Sequence, residues 1–170
     1  MPNRTDSILS HGMGKVKAVK ARLSGLVGVF QTLAEQHGEV LMLLERAKAS
    51  DQKFSELWPT IRRELLSHER AELRELYPVL RTNDTTRVLA DDHDAEAAEL
   101  EEQIADIDRL VVGSGVRRRA FQHLIDTVKH HAHEEERKIF RKAQQVFGKE
   151  QATAIDAKFL ATKNQLSALI

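Results

Sequence analysis

Residues 67–78, SHERAELRELYP, place a histidine and a glutamate on the apolar face of a helix. Residues three or four apart in sequence lie on the same face of an α-helix. Leu65, His68, Glu72, Leu76 and Leu80 follow this spacing. The segment therefore predicts a core-facing helix whose apolar stripe is interrupted by one imidazole and one carboxylate.

The same interruption recurs in three further helical segments of the chain. The stripes are Leu33–His37–Leu41, Leu89–His93–Ala97 and Val128–His131–Glu135–Ile139. Burying a titratable group without a partner costs several kcal/mol or more. One core histidine is usually just a hydrogen-bonded core residue, but four stripes interrupted in the same chemical style indicate a shared site.

Composition limits the classes of protein and site that fit this chain. At 170 residues, with 41% hydrophobic and 31% charged residues, it suits one folded domain rather than a disordered segment. Lys plus Arg and Asp plus Glu number 26 each, so the net charge favours neither nucleic acid nor an anionic membrane as a partner. The absence of cysteine excludes disulfides, thiolate-held iron–sulfur clusters and thiol nucleophiles.

The N-terminal segment has no apolar core of a secretory signal, and the longest uncharged run, residues 23–34, is too short to span a bilayer. We therefore expect a cytoplasmic protein. We also expect it to be a monomer or a homodimer, with a small molecule as its ligand.

Helical periodicity and turn residues predict an all-α, up-down-up-down four-helix bundle with an additional C-terminal helix. The expected helices span about 15–49, 54–80 (with Pro59 an alternative start), 85–112 and 115–147. Asp84 or Thr85 is the expected cap of the third, and Ser114 of the fourth. Gly148 is expected to close the fourth helix. We divide the chain into an N-terminal arm (1–14), the bundle (15–148) and a C-terminal helix (149–170) on the bundle or a partner.

The interrupting residues are expected at one height in such a bundle. Residues on successive antiparallel helices lie level when the connecting turn falls midway between them. The midpoints of His37 and His68, of the His68–Glu72 pair and His93, and of His93 and the His131–Glu135 pair all fall in predicted loops. With equal rise per residue on every helix, we expect one polar layer within the core.

Four imidazoles and two carboxylates exceed the needs of one tetrahedral zinc and suit two metals roughly 3.5–4 Å apart. Glu72 and Glu135 would bridge the metals, and the histidines would complete the two coordination spheres. Positions would remain for an oxo or hydroxo bridge and a small ligand. The expected cofactor is therefore a pair of metal ions, and iron, manganese and zinc all suit these donors. The six expected metal ligands are His37, His68, Glu72, His93, His131 and Glu135.

This pattern resembles the hemerythrin-like, HHE cation-binding domain. Residues 131–140, HAHEEERKIF, repeat the phrase of residues 67–78, with Phe140 in place of the tyrosine and Arg141 in place of the proline. The resemblance covers about residues 16–147 and implies a four-helix bundle with a non-haem di-iron centre that binds or reacts with dioxygen or related molecules.

Two positions depart from the oxygen-carrying members, which have His-x-x-x-His on the third helix and a closing aspartate on the fourth. Here these positions hold Ala97 and Glu135, so the chain resembles the four-histidine, two-glutamate branch. We therefore expect a di-iron protein that binds or reacts with dioxygen, peroxide or nitric oxide in sensing, scavenging or iron handling. If it is an enzyme, it is oxidase-, peroxidase- or catalase-like. The alternative is a metal-free helical interaction module whose histidines act as a pH switch.

Other residues compete for these roles. Glu69, His130 and His133 could join or replace a ligand, whereas His11 and His123 are expected at the surface. Glu134 and Glu136 are expected to be solvated, and Trp58 and Tyr77 to pack in the core or support the ligands.

Overall fold

The computed structural model describes Lys20 and residues 25–170, which form helices and turns. The helices are α1 (Val29–Ala47), α2 (Asp51–Glu75), α3 (Tyr77–Leu80), α4 (Asp84–Ala90), α5 (His93–Arg109), α6 (Gly115–Glu134), a π-helical turn (Glu135–Ile139) and α7 (Phe140–Ser167). No helix within these residues has the length and apolar character needed to cross a membrane.

The predicted helical bundle is confirmed. Its four members are α1, α2, α5, and α6 as continued by the π-helical turn and the start of α7. Short loops join α1 to α2 and α5 to α6, and a segment with the short helices α3 and α4 joins α2 to α5. Short connections favour antiparallel neighbours. Ser50 and Ser114 accept hydrogen bonds from the backbone N–H groups of Lys53 and Arg117, so each serine caps the helix that follows it.

The first bundle helix begins later than the sequence pattern predicts. Residues 25–28 are not helical, and the remainder of the predicted start, like the 1–14 arm, lies outside the described residues. Gln144 holds this segment: its Oε1 accepts from Val27 N at 2.8 Å and its Nε2 donates to Gly25 O at 2.6 Å. Gly28 has a φ of 56°, which favours glycine and turns the chain into α1.

Two other predicted boundaries are wrong. The second helix begins at Asp51, behind the Ser50 cap, so Pro59 lies inside it rather than at its start. The third helix is capped by Asn83, whose side chain accepts from Thr85 N at 2.9 Å, and not by Asp84 or Thr85. It is also interrupted after Ala90, so that α5 begins at His93.

Gly148 separates the fourth bundle helix from the C-terminal segment, as predicted. Its φ of 77° and ψ of 174° interrupt α7. Residues 149–167 then lie along α2: Phe159 packs edge-on against the His68 ring, and Thr162 donates to Glu75 at 2.7 Å. The C-terminal helix therefore packs on the bundle of its own chain.

Two apolar clusters make up the core. Helices α1 and α2 each carry residues of both clusters. On α1, Phe30 and Leu33 belong to the first cluster and Leu44 to the second. On α2, Leu65 belongs to the second cluster and Ala71 to the first. The residues between the clusters are the polar interruptions seen in the sequence.

Replacing Gly28 by alanine should destabilise the fold, because the added Cβ would overlap the backbone of Ala152 and Thr153. We expect Gly28→Ala to lower the free energy of unfolding, measured by chemical denaturation, by more than about 1 kcal/mol relative to Gly25→Ala. Gly25 is the matched control because it also has a positive φ, whereas an added Cβ there meets nothing within 4 Å. Equal losses in the two variants would contradict the close approach.

Candidate metal centre

Four of the interrupting residues, from three different parts of the chain, form one buried group. His37 comes from α1, His68 and Glu72 from α2, and Glu135 from the π-helical turn. Their facing nitrogen and oxygen atoms all lie within 4.8 Å of one another. Nε2 of His37 is 3.2 Å from Oε2 of Glu135, and Nε2 of His68 is 3.5 Å from Oε2 of Glu72. This group has the size and the donors to hold a metal ion.

A second group with the same spacing contains Glu69, Glu72, His93 and His131. Nε2 of His131 is 3.3 Å from Oε1 of Glu69, and Nε2 of His93 is 3.8 Å from Oε2 of Glu69. Glu72 belongs to both groups. Glu135 also reaches the second one, with Oε2 3.5 Å from Nε2 of His131.

The structure therefore brings all six sequence-predicted ligands into one layer and adds Glu69 to them. Glu69 is buried beside His68, whereas His123, His130 and His133 are exposed and stand outside both groups. His11 lies outside the described residues. The HE dipeptide at 68–69 was the only sequence signal for Glu69, because adjacent helical positions normally point about 100° apart.

Three of the four histidines use their outer ring nitrogen to donate a hydrogen bond. Nδ1 of His37 donates to Glu136 at 3.0 Å, Nδ1 of His68 to Gln36 at 2.9 Å, and Nδ1 of His131 to Glu96 at 3.3 Å. These acceptors are oxygens, so the proton lies on Nδ1 and the Nε2 lone pair faces the centre of the layer. Metal-binding histidines are commonly held in this way. The expectation that Glu136 is solvated is wrong, because the π-helical turn directs it onto His37.

Tyr77 supports two members of the layer. Its hydroxyl donates to Oε1 of Glu135 at 2.5 Å, and its ring stacks on that of His93 with 3.4 Å between centroids. Its predicted supporting role is therefore correct. Trp58 is different: its indole donates to Asp108 at 2.8 Å, and its ring packs with Phe54 in the second apolar cluster.

The atoms that face the centre of the layer are buried and lack hydrogen-bond partners among the described residues. They are His37 Nε2, His68 Nε2, Glu69 Oε2, both oxygens of Glu72, both nitrogens of His93, His131 Nε2 and Glu135 Oε2. Buried polar groups are normally satisfied, and a carboxylate without a donor is costly. Lone pairs converging on one space fit a cation, so the residues present fit a metal centre.

Comparison with protein families gives one finding that agrees with this geometry. The family described as the hemerythrin HHE cation binding domain matches residues 29–143, which is more than half of the chain. The chain belongs to this family. Comparisons with curated protein sequences and with solved structures gave no significant match. Family membership implies cation binding, and the two His/Glu groups of this hemerythrin-family chain could hold the metal.

Electrostatics within the hemerythrin-like layer are in conflict without a cation. Burial raises the pKa of Glu72, and the nearby charges of Glu135 and Glu69 raise this pKa further. Burial also acts to raise the pKa of Glu135, but the nearby imidazoles of His131 and His37 outweigh it and hold this pKa low. Burial and the neighbouring His37 lower the pKa of His68. The carboxylate of Glu72 thus receives too little positive charge from the imidazoles alone, and a bound cation would supply it.

Glu72 is the position where a side chain suited to binding a cation should most clearly lower the stability of the metal-free protein. Replacing buried ionisable groups of an ion-pair cluster by apolar side chains of similar volume is often neutral or stabilising by about 1–4 kcal/mol. We expect metal-free Glu72→Met to unfold at higher denaturant than the metal-free parent. Added iron should stabilise the parent but not this variant.

Glu150→Met is the control for Glu72→Met, because Glu150 is exposed on the C-terminal helix. Its stability should stay within about 0.5 kcal/mol of the parent, and its response to iron should be unchanged. A metal-free Glu72→Met protein less stable than the parent would show that the carboxylate is satisfied by the protein itself.

Tyr77→Phe should weaken metal binding without removing a direct ligand, since it deletes only the hydroxyl that orients Glu135. Loss of such a supporting hydrogen bond typically costs about 10–100-fold in metal affinity, which competition with a chelator can measure. Trp58→Phe is the matched control, because it deletes a hydrogen bond away from the layer. Equal affinities in both variants would remove Tyr77 from the centre.

Proposed function

We propose that this protein binds two iron ions in the polar layer and uses them to bind or react with dioxygen, peroxide or nitric oxide. The observation that carries the proposal is the pair of overlapping His/Glu groups that share Glu72. A carboxylate common to two groups is suited to bridging two metals roughly 3.5–4 Å apart. The proposed ligands are His37, His68, Glu72, His93, His131 and Glu135, with Glu69 as a seventh.

The chemistry of the donors supports iron. Every candidate is an imidazole nitrogen or a carboxylate oxygen, and the chain has no cysteine. Such donors suit iron, manganese or zinc. A pair of iron ions would supply redox chemistry and open coordination positions to this layer. The three carboxylates would also balance much of the charge of two cations, and the four neutral imidazoles would add no charge of their own.

The residues around the layer would keep the donors in place. Gln36, Glu96 and Glu136 accept from Nδ1 of three histidines and thereby fix the orientation of Nε2. Tyr77 fixes Glu135 by its hydroxyl hydrogen bond and holds the ring of His93 by stacking. A site preorganised in this way loses little free energy when it takes up its ions.

Ala97 favours redox cycling or sensing over reversible oxygen carriage. It is buried one turn after His93 on α5, where the oxygen-carrying pattern has a second histidine. An alanine offers no donor, so the group that contains His93 has one imidazole fewer than the oxygen-carrying pattern would give it. Carboxylates are harder ligands than imidazole and favour oxidised, oxygen-reactive iron.

The metal-free interaction module has less support. A pH switch needs histidines whose charge change has a structural consequence. A histidine pH switch gives no reason why both carboxylate oxygens of Glu72 lie buried without a hydrogen-bond donor within residues 25–170. A cation accounts for these atoms directly.

Metal analysis tests the proposal. The protein loaded with ferrous iron without oxygen should bind about two ions per chain, and dioxygen, peroxide or nitric oxide should then change its absorption spectrum. His131→Ala should lose at least one ion and the spectral change. His133→Ala is the control, because His133 is exposed on the same helix. Protein that binds no iron, or two variants that behave alike, would refute the proposal.

A further inference from the structure

A cavity of about 220 Å³ opens from the surface onto the polar layer. Its inner end is formed by His37, His68, Glu69 and His131. It therefore contacts residues of both His/Glu groups. Its walls come from α1, α2, α5 and α6, and one side of its entrance comes from the C-terminal helix.

The size of the cavity exceeds what the smallest ligands need. One water molecule requires roughly 10–15 Å³ of such space, and a diatomic gas is of similar size. The cavity is therefore many times larger than a site for dioxygen or nitric oxide alone. It has room for an organic molecule of several heavy atoms.

The walls between the entrance and the polar layer are mainly apolar. They are lined by Val40, Leu43, Leu65, Leu100 and Val128. Apolar walls favour an apolar ligand, because binding removes the nonpolar surface of both from water. They also penalise a charged ligand, which would lose its hydration along the way.

The entrance does not present a cation to an anionic ligand. Lys163 lines it, but its ammonium lies 2.6 Å from Glu64 Oε2 and its side chain is only 12% exposed. This lysine is therefore already neutralised by its partner. Lys163 lies on the C-terminal helix beyond residues 29–143, so this entrance lies partly outside the family match.

We propose that this cavity binds a small, uncharged and mainly apolar organic molecule directly beside the metal layer. Its chemical consequence rests on the proposed function, since only a loaded centre could act on the molecule. Binding itself requires only the cavity. The cavity would thus set ligand specificity by shape and polarity: its apolar walls would disfavour anions, and Lys163, paired with Glu64, would not attract them.

Leu43 and Leu41 provide a matched pair of variants. Both are half-buried leucines on α1 that pack against the second apolar cluster, but Leu43 lines the cavity. Leu43→Trp should fill the cavity from its wall, and Leu43→Phe should do so partially with less change in volume. Leu41→Trp adds the same bulk on the same helix without lining the cavity.

The probes are fluorobenzene and 4-fluorobenzoate. Their binding to the as-isolated protein is measured by fluorine NMR titration, and the metal content of each sample is determined. Fluorobenzene should bind the parent and Leu41→Trp equally and Leu43→Trp at least tenfold more weakly, with Leu43→Phe intermediate. 4-Fluorobenzoate should bind the parent at least tenfold more weakly than fluorobenzene.

Three outcomes would overturn the inference: no saturable binding of fluorobenzene, binding unchanged in both Leu43 variants, or preference for 4-fluorobenzoate. If Leu43→Trp does not fold, Leu43→Phe decides the second of these. Fluorobenzene binding in a protein that takes up no iron would support the cavity and refute the proposed function. Iron uptake without fluorobenzene binding would do the reverse.

Discussion

Burial of carboxylates and imidazoles between two apolar clusters is the constraint on which the rest of this structure depends. Glu69, Glu72 and Glu135 lie in the core with oxygens that find no donor in the described part of the chain. Such groups are expensive to bury. The bundle tolerates them because the apolar clusters on both sides supply the stability, and because the oxygens and nitrogens converge closely enough to share a cation.

The polar layer is supported from outside as well as from within. The outer nitrogens of three histidines donate to Gln36, Glu96 and Glu136, and Tyr77 holds the carboxylate of Glu135. The C-terminal helix closes one side, since Phe159 packs on the His68 ring and Lys163 stands at the mouth of the cavity. Natural proteins break local packing rules chiefly at functional sites, and here most of the buried polar atoms without a hydrogen-bond partner in the described residues lie in this layer.

Sequence reasoning was strongest where periodicity and chain length act together. Equal rise per residue on every helix placed His37, His68, His93 and His131 at one depth, and the structure has them there. It was weaker at helix ends. Asn83 caps α4 in place of Asp84 or Thr85, and the first helix begins only at Val29, because Gly28 lies in a turn packed against Ala152. Ala152 is over a hundred residues away, and helical periodicity carries no information about such a contact.

The sequence by itself determined the fold class, the order of the helices and the identity of the six interrupting residues, because a period of 3.6 residues and short loops leave few alternatives. Only the tertiary structure decided that Glu69 joins them, that Glu136 and Gln36 orient two histidines, and that a cavity beside Lys163 reaches the layer. These features depend on how side chains from distant segments meet across the bundle. A π-helical turn, which helical periodicity does not predict, and the packing of the C-terminal helix on α2, which the sequence left open, set those meetings.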